Sequence, residues 1–171
     1  MRSNPGQASE REQGSSELER YPWHRVESTL MATARCIRNA YDVAFAVLDL
    51  NLTSASLLMY VVEQGGTSQT ALAEVVDVGR AAAGAIVDRL SERGLVERRA
   101  DEQDRRVWLV EATADGKEMA GRISAIDRMV GGQLRSGIDR SERQLLASML
   151  LRMQTNLLGD EHQRTQTSDK S

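Results

Sequence analysis

The stretch that decides the fold is LVERRADEQDRRVWLVEATADG, from Leu95 to Gly116. It contains two short segments that favour β-strands, 95–99 and 105–111, joined by a charged segment at 100–104. A helical pattern that ends at Gly94 comes directly before it. A helix that runs straight into a two-stranded ribbon with arginines at its tip predicts a winged helix-turn-helix. In that layout the helix enters the major groove of DNA and the ribbon contacts the backbone or the minor groove.

The charge of the whole chain does not by itself indicate a nucleic-acid binder, because the formal net charge is -3. Between residues 80 and 106 the chain carries seven arginines against six acidic residues, so this segment is only marginally positive. The prediction of DNA binding therefore depends on which side chains face the groove. The arginines stand at positions 80, 89, 93, 98, 99, 105 and 106.

Composition and length restrict the remaining classes of protein. A chain of 171 residues can bury the core of one domain and still carry additional helices. Its single cysteine, Cys36, excludes an internal disulfide framework and favours a reducing cytoplasm. The sequence has no apolar stretch near the roughly 18 residues of a membrane span and no apolar run flanked by basic residues near its start, so neither membrane spanning nor secretion is expected. Two histidines and one cysteine, far apart, argue against a metal site, and no cofactor is predicted.

Apolar periodicity divides the chain into regions. Residues 1–20 and 159–171 are polar without such periodicity, which predicts a disordered arm and a disordered tail. Between them the pattern predicts six helices and the ribbon, a mainly α fold with a small β-wing. We assign residues 51–112 to a winged helix-turn-helix DNA-binding domain. Residues 21–50 and 113–158 are expected to form a helical dimerisation region that flanks it.

Apolar spacing and capping residues give the expected helix bounds. The first helix is predicted over 22–48, a short third helix over 69–76, and the fourth over 80–93. The last helix is expected to open with a capping box at 141–144. The capping residues predicted for the second, third, fifth and sixth helices are Thr53, Ser68, Thr113 and Ser141.

The order of the motifs resembles the multiple-antibiotic-resistance regulator (MarR) family of transcription factors, over residues 24–158. The most specific motif is Asp104-x-Arg106, followed after six residues by Thr113 and then by Asp115-Gly116. Three further motifs stand at the expected distances, QTALA at 69–73, VDRL at 87–90 and RGLV at 93–96.

This resemblance implies a regulator, most often a repressor, that binds a pseudo-palindromic site on double-stranded DNA as a homodimer. It also implies release from the DNA by a small aromatic or phenolic effector.

The wing motif has a physical explanation as well. Asp104 and Arg106 are two residues apart on a ribbon, so they point to the same side and can pair. The pair would hold Arg106 ready for the narrow minor groove, where the potential is most negative. We predict that Asp104, Arg105 and Arg106 contact DNA. The alternative is a solvated pair of surface charges, which contributes little.

The fourth helix departs from the family pattern. Relatives have serine where this chain has Gly79, and polar base-contacting residues where it has Ala81, Ala82, Gly84 and Ala85. Alanine offers only a methyl group to thymine, and glycine only permits close approach. In one explanation Arg80, the wing and DNA shape provide specificity, with Ala82 and Gly84 facing the groove. In the other, this helix has lost most of its specificity.

Phosphate contacts are predicted at the start of the third helix. In the family, residues at the positions of Gln69 and Thr70 contact phosphates, and free N–H groups at a helix start suit that role. Ser68 can contact phosphate too, or can serve only as the cap. Arg89 and Arg93 are expected on the phosphate side of the fourth helix or simply in solvent.

The terminal helices predict a two-fold dimer, since the last helix has a wide apolar stripe that includes Leu146 and Leu150. A dimer would present two recognition helices to half-sites about one turn of DNA apart.

In the family a cleft between the dimer helices and the winged domain takes aromatic acids or phenols. An arginine near aromatic rings would suit a carboxylate on a flat ring. Met59 and Trp108 can instead belong to the core, and Trp23 and His24 can stabilise the start of the first helix. The candidate cleft residues are Trp23, His24, Arg38, Tyr41, Met59 and Trp108. Cys36 is expected to be a small buried apolar residue.

The sequence supports two other classes of function less well. The sequence lacks a phosphate-binding glycine loop, a nucleophile elbow and a paired His/Glu metal motif, so an enzyme is not predicted. The alternative to a DNA-binding regulator is a winged-helix dimer that binds a protein partner, with weak or no sequence-specific DNA binding. The low polarity of residues 81–85 motivates that alternative.

Overall fold

The computed structural model describes residues 26–101 and 107–168, with side chains to residue 157. The described residues up to Val130 form one compact unit, and those from Gly131 form a second. Residues 1–25, which include the expected arm, Trp23 and His24, lie outside the described part, as does the wing tip with Asp104, Arg105 and Arg106. The elements are α1 Val26–Phe45, a 3-10 turn Ala46–Leu48, α2 Leu52–Gln64, β1 Thr67–Ser68, α3 Gln69–Val75, α4 Arg80–Glu92, β2 Val96–Ala100, β3 Trp108–Ala112, α5 Ala114–Leu134 and α6 Arg140–Ser168.

The prediction of a mainly α fold with a small β-wing is confirmed. The wing strands β2 and β3 pair antiparallel, with Val96 opposite Ala112 and Ala100 opposite Trp108. The sheet has a third strand that the sequence did not predict, because β1 on the other edge of β3 is only two residues long. A segment that short carries no periodicity that could be recognised.

The core lies where α2, α3, α4 and the sheet meet. Its largest fully buried side chains include Leu57, Leu58, Leu72 and Leu90, which lie on the inner faces of the three helices. Phe45 at the end of α1 is also buried and joins the same cluster. The helix-turn-helix and the end of α1 therefore share one hydrophobic core.

The first helix ends earlier than its apolar spacing predicted. It stops at Phe45, and the chain continues as a 3-10 turn to Leu48. Asp49 then takes a left-handed backbone (φ 54°), which turns the chain toward α2. Cys36 is exposed, so the expectation of a buried cysteine is wrong. Most of α1 before Tyr41 is exposed in the single chain, and only its end packs into the core.

Two of the predicted caps are wrong. The cap of α2 is Asn51, whose side chain accepts a hydrogen bond from the Ser54 amide at 2.9 Å. Ser54 Oγ in turn accepts one from the Asn51 amide at 3.0 Å. Thr53 lies inside the first turn because the helix already begins at Leu52, whose amide donates to Asp42 Oδ1 at 2.7 Å.

The cap of α6 is Asp139 rather than Ser141. Asp139 and Glu142 form a reciprocal capping box with two hydrogen bonds of 2.9 Å. Ser141 instead donates its hydroxyl to Asp139 Oδ1 at 2.6 Å, and this bond is the largest cause that lowers the pKa of Asp139 below its ordinary value. The helix also runs to Ser168, so positions 159–168 are helical rather than part of a disordered tail. They contain no proline, and propagation of an existing helix adds one hydrogen bond per residue.

Arg93 has a structural role in place of the expected phosphate contact. Its Nη1 donates to the Asp49 carbonyl oxygen at 2.6 Å and its Nη2 to that of Leu48 at 2.8 Å. The guanidinium thus ties the end of α4 to the turn between α1 and α2. Its side chain is only 25% exposed, because it lies against this turn.

Within residues 26–101 and 107–168, no single helix is long and apolar enough to cross a membrane. Val26–Leu48 and Leu52–Gln64, bent by 71°, pass that test only as a pair and only by length and composition.

Thr113 caps α5 as predicted, and it also joins α5 to the wing. Its Oγ1 accepts from the Gly116 amide at 3.0 Å and donates to the Gly94 carbonyl oxygen at 2.6 Å. Its amide donates to the Leu95 carbonyl oxygen at 3.2 Å. A Cβ on Gly116 would lie 2.0 Å from that same oxygen, so only glycine fits there. The threonine and the glycine of the wing motif therefore have structural roles.

We expect Gly116→Ala to lower the free energy of unfolding by about 1–3 kcal/mol, because the added methyl group meets backbone rather than a movable side chain. The matched control is Gly121→Ala on the same helix, where a Cβ meets nothing within 4 Å. That variant should gain up to about 1 kcal/mol from helix propensity. Urea unfolding of both variants measures the difference, and equal stabilities would contradict the proposed close approach.

Candidate nucleic-acid interface and effector cavity

The helix-turn-helix consists of α3, a turn and α4. Ser68 caps α3, as predicted, by accepting a hydrogen bond from the Ala71 amide at 3.3 Å. Asp77 takes a left-handed backbone in the turn (φ 50°). Gly79 stands at the cap of α4 and provides no side-chain hydrogen bond. Helix α4 therefore starts with amide groups that no capping side chain covers.

The exposed face of α4 carries three of the predicted DNA contacts, Arg80, Ala82 and Arg89. Arg89 borders a cleft of about 240 Å³ between α4 and the turn before α2. Thr70 on α3 is exposed as well, and Gln69 is half-buried. The exposed residues of α4 are Arg80, Ala81, Ala82, Ala85, Asp88, Arg89 and Glu92.

Gly84 does not lie open on that face, so the expectation that it faces the groove is wrong. It is buried, and a Cβ built on it would lie 2.7 Å from Nε2 of Gln69. The physical reason is the packing of α3 against α4, which brings the Gln69 side chain over the glycine. Sequence spacing along α4 alone could not have revealed a cover that comes from the preceding helix.

An ion pair links α4 to the wing. Arg98 Nη2 lies 2.6 Å from Asp88 Oδ1, with the two side chains 36% and 57% exposed. On the opposite side of the ribbon, Arg99 lies 3.8 Å from Glu111 across the strands. Sequence reasoning missed the first pair because its residues belong to a helix and a strand whose relative position no local pattern gives.

The wing itself is described only in part. The predicted contacts Asp104, Arg105 and Arg106 fall outside the described residues, and their role stays a prediction. Trp108 stands on β3 next to this segment and is 58% exposed. It is therefore not a core residue, and it does not line the cavity among α1, α2 and α5.

A cavity of about 380 Å³ lies among α1, α2 and α5 in the first unit. Of the predicted cleft residues, it brings together Tyr41 and Met59, whereas Arg38 is exposed elsewhere on α1 and does not line it. The structure places a different arginine, Arg128, at the cavity. Its lining residues are Tyr41, Phe45, Leu52, Ala55, Ser56, Met59, Tyr60, Glu63, Val75, Ile123, Ser124, Asp127 and Arg128.

The polar groups of the cavity are concentrated on α5. Tyr41 Oη donates to Asp127 Oδ1 at 2.9 Å, and the Tyr41 ring stacks on Phe45 with centroids 5.7 Å apart. Ser124 Oγ donates to the Ala120 carbonyl oxygen and lies 3.9 Å from the sulfur of Met59. Sequence reasoning missed Ser124, Asp127 and Arg128 because polar residues spaced along a helix also fit an ordinary solvent-facing side.

The cavity thus combines a flat aromatic wall with one cation and nearby carboxylates, and it suits a small organic molecule better than a metal ion. Among the residues that the structure describes, no group of three or more His, Cys, Asp or Glu side chains is placed to hold a metal.

Comparisons with known proteins agree with this architecture. A model of the MarR family matches residues 48–107. The uncharacterised HTH-type transcriptional regulator YybA of Bacillus subtilis (strain 168) is 24% identical over 127 residues, which are 74% of this chain and 85% of YybA. The crystal structure of the transcriptional regulator SlyA superposes with a TM-score of 0.70 at 26% identity, over 79% of this chain and 95% of SlyA.

A second solved structure extends the comparison to a liganded regulator. CouR from Rhodococcus jostii RHA1, bound to p-coumaroyl-CoA, superposes with a TM-score of 0.68 at 27% identity, over 76% of this chain and 90% of CouR. The matched family segment contains the helix-turn-helix and all of β2, and each structural match covers more than three quarters of the chain. This chain has the fold of the MarR-family winged-helix regulators, and its residues 48–107 match the model of that family.

Proposed function

We propose that this protein is a DNA-binding transcriptional regulator of the MarR family that acts in the cytoplasm as a repressor. It binds a pseudo-palindromic operator as a homodimer until a small aromatic or phenolic effector releases it. The observation that carries the proposal is the open face of α4, which presents Arg80 and three alanines at the surface of a helix that follows the turn. The role is regulatory rather than catalytic and requires no cofactor.

On DNA, α4 enters the major groove with Arg80 in its first turn. A guanidinium can donate two hydrogen bonds to O6 and N7 of guanine, the commonest specific contact. The exposed methyl groups of Ala82 and its neighbours suit thymine methyl groups. Ser68, Thr70 and Arg89 contact the backbone, and Arg106, held by Asp104, enters the minor groove.

The dimer forms through the terminal helices. The α6 residues Leu145, Leu146 and Leu157 are 61%, 51% and 74% exposed in the single chain. An apolar stripe of this kind favours burial against a second copy. Since each chain carries one recognition helix, a two-fold dimer matches two half-sites.

The effector enters the 380 Å³ cavity, whose volume lies within the range of about 300–1,000 Å³ found for small-molecule sites. A flat ring packs between Tyr41 and Met59, and Arg128 donates hydrogen bonds to a carboxylate or a phenolate oxygen nearby. CouR supports this assignment, because a relative of 27% identity is bound to an aromatic acyl compound.

A second candidate function is a winged-helix dimer that binds a protein partner without reading a DNA sequence. The exposure of Ala81, Ala82 and Ala85 favours it, since an apolar helix face can dock on protein as well as in a groove. DNA-binding measurements with purified protein separate the two candidates.

We expect Arg80→Ala to weaken binding to the selected operator by about 1–3 kcal/mol and to flatten preference at one position in each half-site. The salt dependence should stay nearly unchanged, because no phosphate contact is lost. The operator is first selected from random duplexes, and titrations at several salt concentrations then compare parent, Arg80→Ala and the exposed control Arg122→Ala. A uniform loss with a shallower salt slope would place Arg80 on phosphate, and a parent that prefers no sequence would favour the partner-binding candidate.

We expect Leu146→Glu to shift the protein toward monomers and to weaken operator binding, because a charge in the apolar stripe opposes its burial. Folding of the single chain should persist, since Leu146 is already 51% exposed there. Gln144→Glu is the control, because helical spacing puts it on the side of α6 opposite the stripe. Sedimentation at micromolar concentration measures assembly. A parent that is monomeric would contradict the homodimer.

We expect benzoate and 4-hydroxybenzoate to raise the midpoint of thermal unfolding and to release the operator, because ligands that bind the folded state stabilise it. Ser56→Phe should abolish both effects by filling the cavity from an exposed lining position. Ala125→Phe, exposed on α5 but not a lining residue, is the control. Arg128→Gln should weaken benzoate more than phenol. Equal responses of parent and Ser56→Phe would place the effector elsewhere.

A further inference from the structure

The position of Gly84 on α4 is unusual. Of the residues one turn away on the same side of the helix, Arg80, Ala81 and Asp88 are exposed and Val87 is buried, and Gly84 itself is buried. Position 84 therefore lies at the edge of the DNA-facing surface rather than deep in the core. The Gln69 side chain, which comes from the start of α3, covers it.

While Gln69 keeps this conformation, the contact leaves no room for a side chain at position 84. A Cβ there would lie 2.7 Å from Nε2 and 3.7 Å from Cδ of Gln69, and real Cβ atoms essentially never approach another atom closer than 3.0 Å. The space that other residues fill with a methyl group is thus occupied by the amide of Gln69. Within residues 26–101 and 107–168, this amide has no hydrogen-bond partner.

We propose that Gly84, which has no side chain, lets the Gln69 amide lie on the DNA-facing surface of α4, where the amide contacts the edge of a base. We call this arrangement of Gly84 and Gln69 the Gly84 seat. The inference rests on the proposed function and deepens it. A glutamine amide can exchange two hydrogen bonds with N6 and N7 of adenine. It would provide the polar base contact that Ala81, Ala82 and Ala85 cannot make.

Packing alone does not explain the glycine. A glycine inside a helix makes the helix less stable than an alanine would, and the neighbouring residues 81, 82, 83 and 85 are all alanine. The atom that blocks a Cβ is the far end of a flexible side chain, which can swing away at low cost. An alanine at position 84 is therefore compatible with the fold, but it displaces the Gln69 amide from the surface of α4.

The same geometry predicts where the base lies. Arg80, Gly84 and Asp88 follow one another at four-residue spacing, and neighbours at that spacing stand about 5–6 Å apart on a helix surface. Asp88 is already paired with Arg98 at 2.6 Å, so its carboxylate is neutralised beside the amide. Bases along one strand are about 3.4 Å apart, which puts the adenine one or two base pairs from the guanine assigned to Arg80.

The test is a cycle of three variants, Gly84→Ala, Gln69→Ala and the double variant. Each is used to select sequences from random duplexes and is then titrated on the parent operator and on operators changed at one base pair. Gly84→Ala and Gln69→Ala should each lose the adenine preference, by about tenfold or more, at the same position of each half-site. The double variant should lose no more than either single variant. Gln69→Glu, which keeps the size but not the donor, should lose the preference as well.

Stability measurements separate this loss from misfolding. The urea midpoint of Gly84→Ala should be no lower than that of the parent, as for the control Gly121→Ala, while its adenine preference is gone. Three results would overturn the Gly84 seat. They are an unchanged adenine preference in Gly84→Ala, additive losses of that preference in the double variant, and a loss of affinity that is equal for all sequences. A parent without any sequence preference would overturn the proposed function itself, and the Gly84 seat with it.

Discussion

The architecture depends on one junction, where the two carbonyl groups that follow α4 are held by a single threonine. Gly94 takes the left-handed backbone (φ 69°) that ends the helix, and its oxygen accepts the Thr113 hydroxyl while that of Leu95 accepts the Thr113 amide. The end of α4, the base of both wing strands and the start of α5 are thereby fixed at one point. The wing and the recognition helix cannot move independently at their common base, and α5, which carries the polar wall of the cavity, starts from the same place.

A second connection joins the cavity to the recognition helix. Tyr41 and Phe45 line the cavity near the end of α1, and the turn that follows is held by Arg93 at the end of α4. The Phe45 ring is also part of the core on which α4 packs. The cavity wall and α4 are thus connected through the 3-10 turn after α1 and the Arg93 guanidinium. In a core packed at the density of an organic crystal, such neighbours do not adjust independently.

Local signals were sufficient for much of this structure. The wing, the Ser68 and Thr113 caps and the apolar helix faces depend on residues within a few positions of one another, and the sequence predicted them. Several of the failures are long-range. Arg93 contacts carbonyl groups 44 and 45 residues away, and Gly84 is covered from another helix. The misplaced cap of α2 has the same origin, since Asp42 on α1 accepts the Leu52 amide and starts the helix at Leu52, ahead of Thr53.

The contact between Gln69 and Gly84 bears on how operator preferences diverge among regulators of this shape. If the groups that meet the bases belong to two helices, a comparison confined to the recognition helix underestimates the difference between two proteins. A single substitution at the start of α3 alters the surface over α4 without changing the sequence of α4. A bulkier residue at position 84 displaces the side chain at position 69 from that surface. Preferences for DNA sequence can then diverge through pairs of positions that lie fifteen residues apart, and the effect of a substitution at one position depends on the residue at the other.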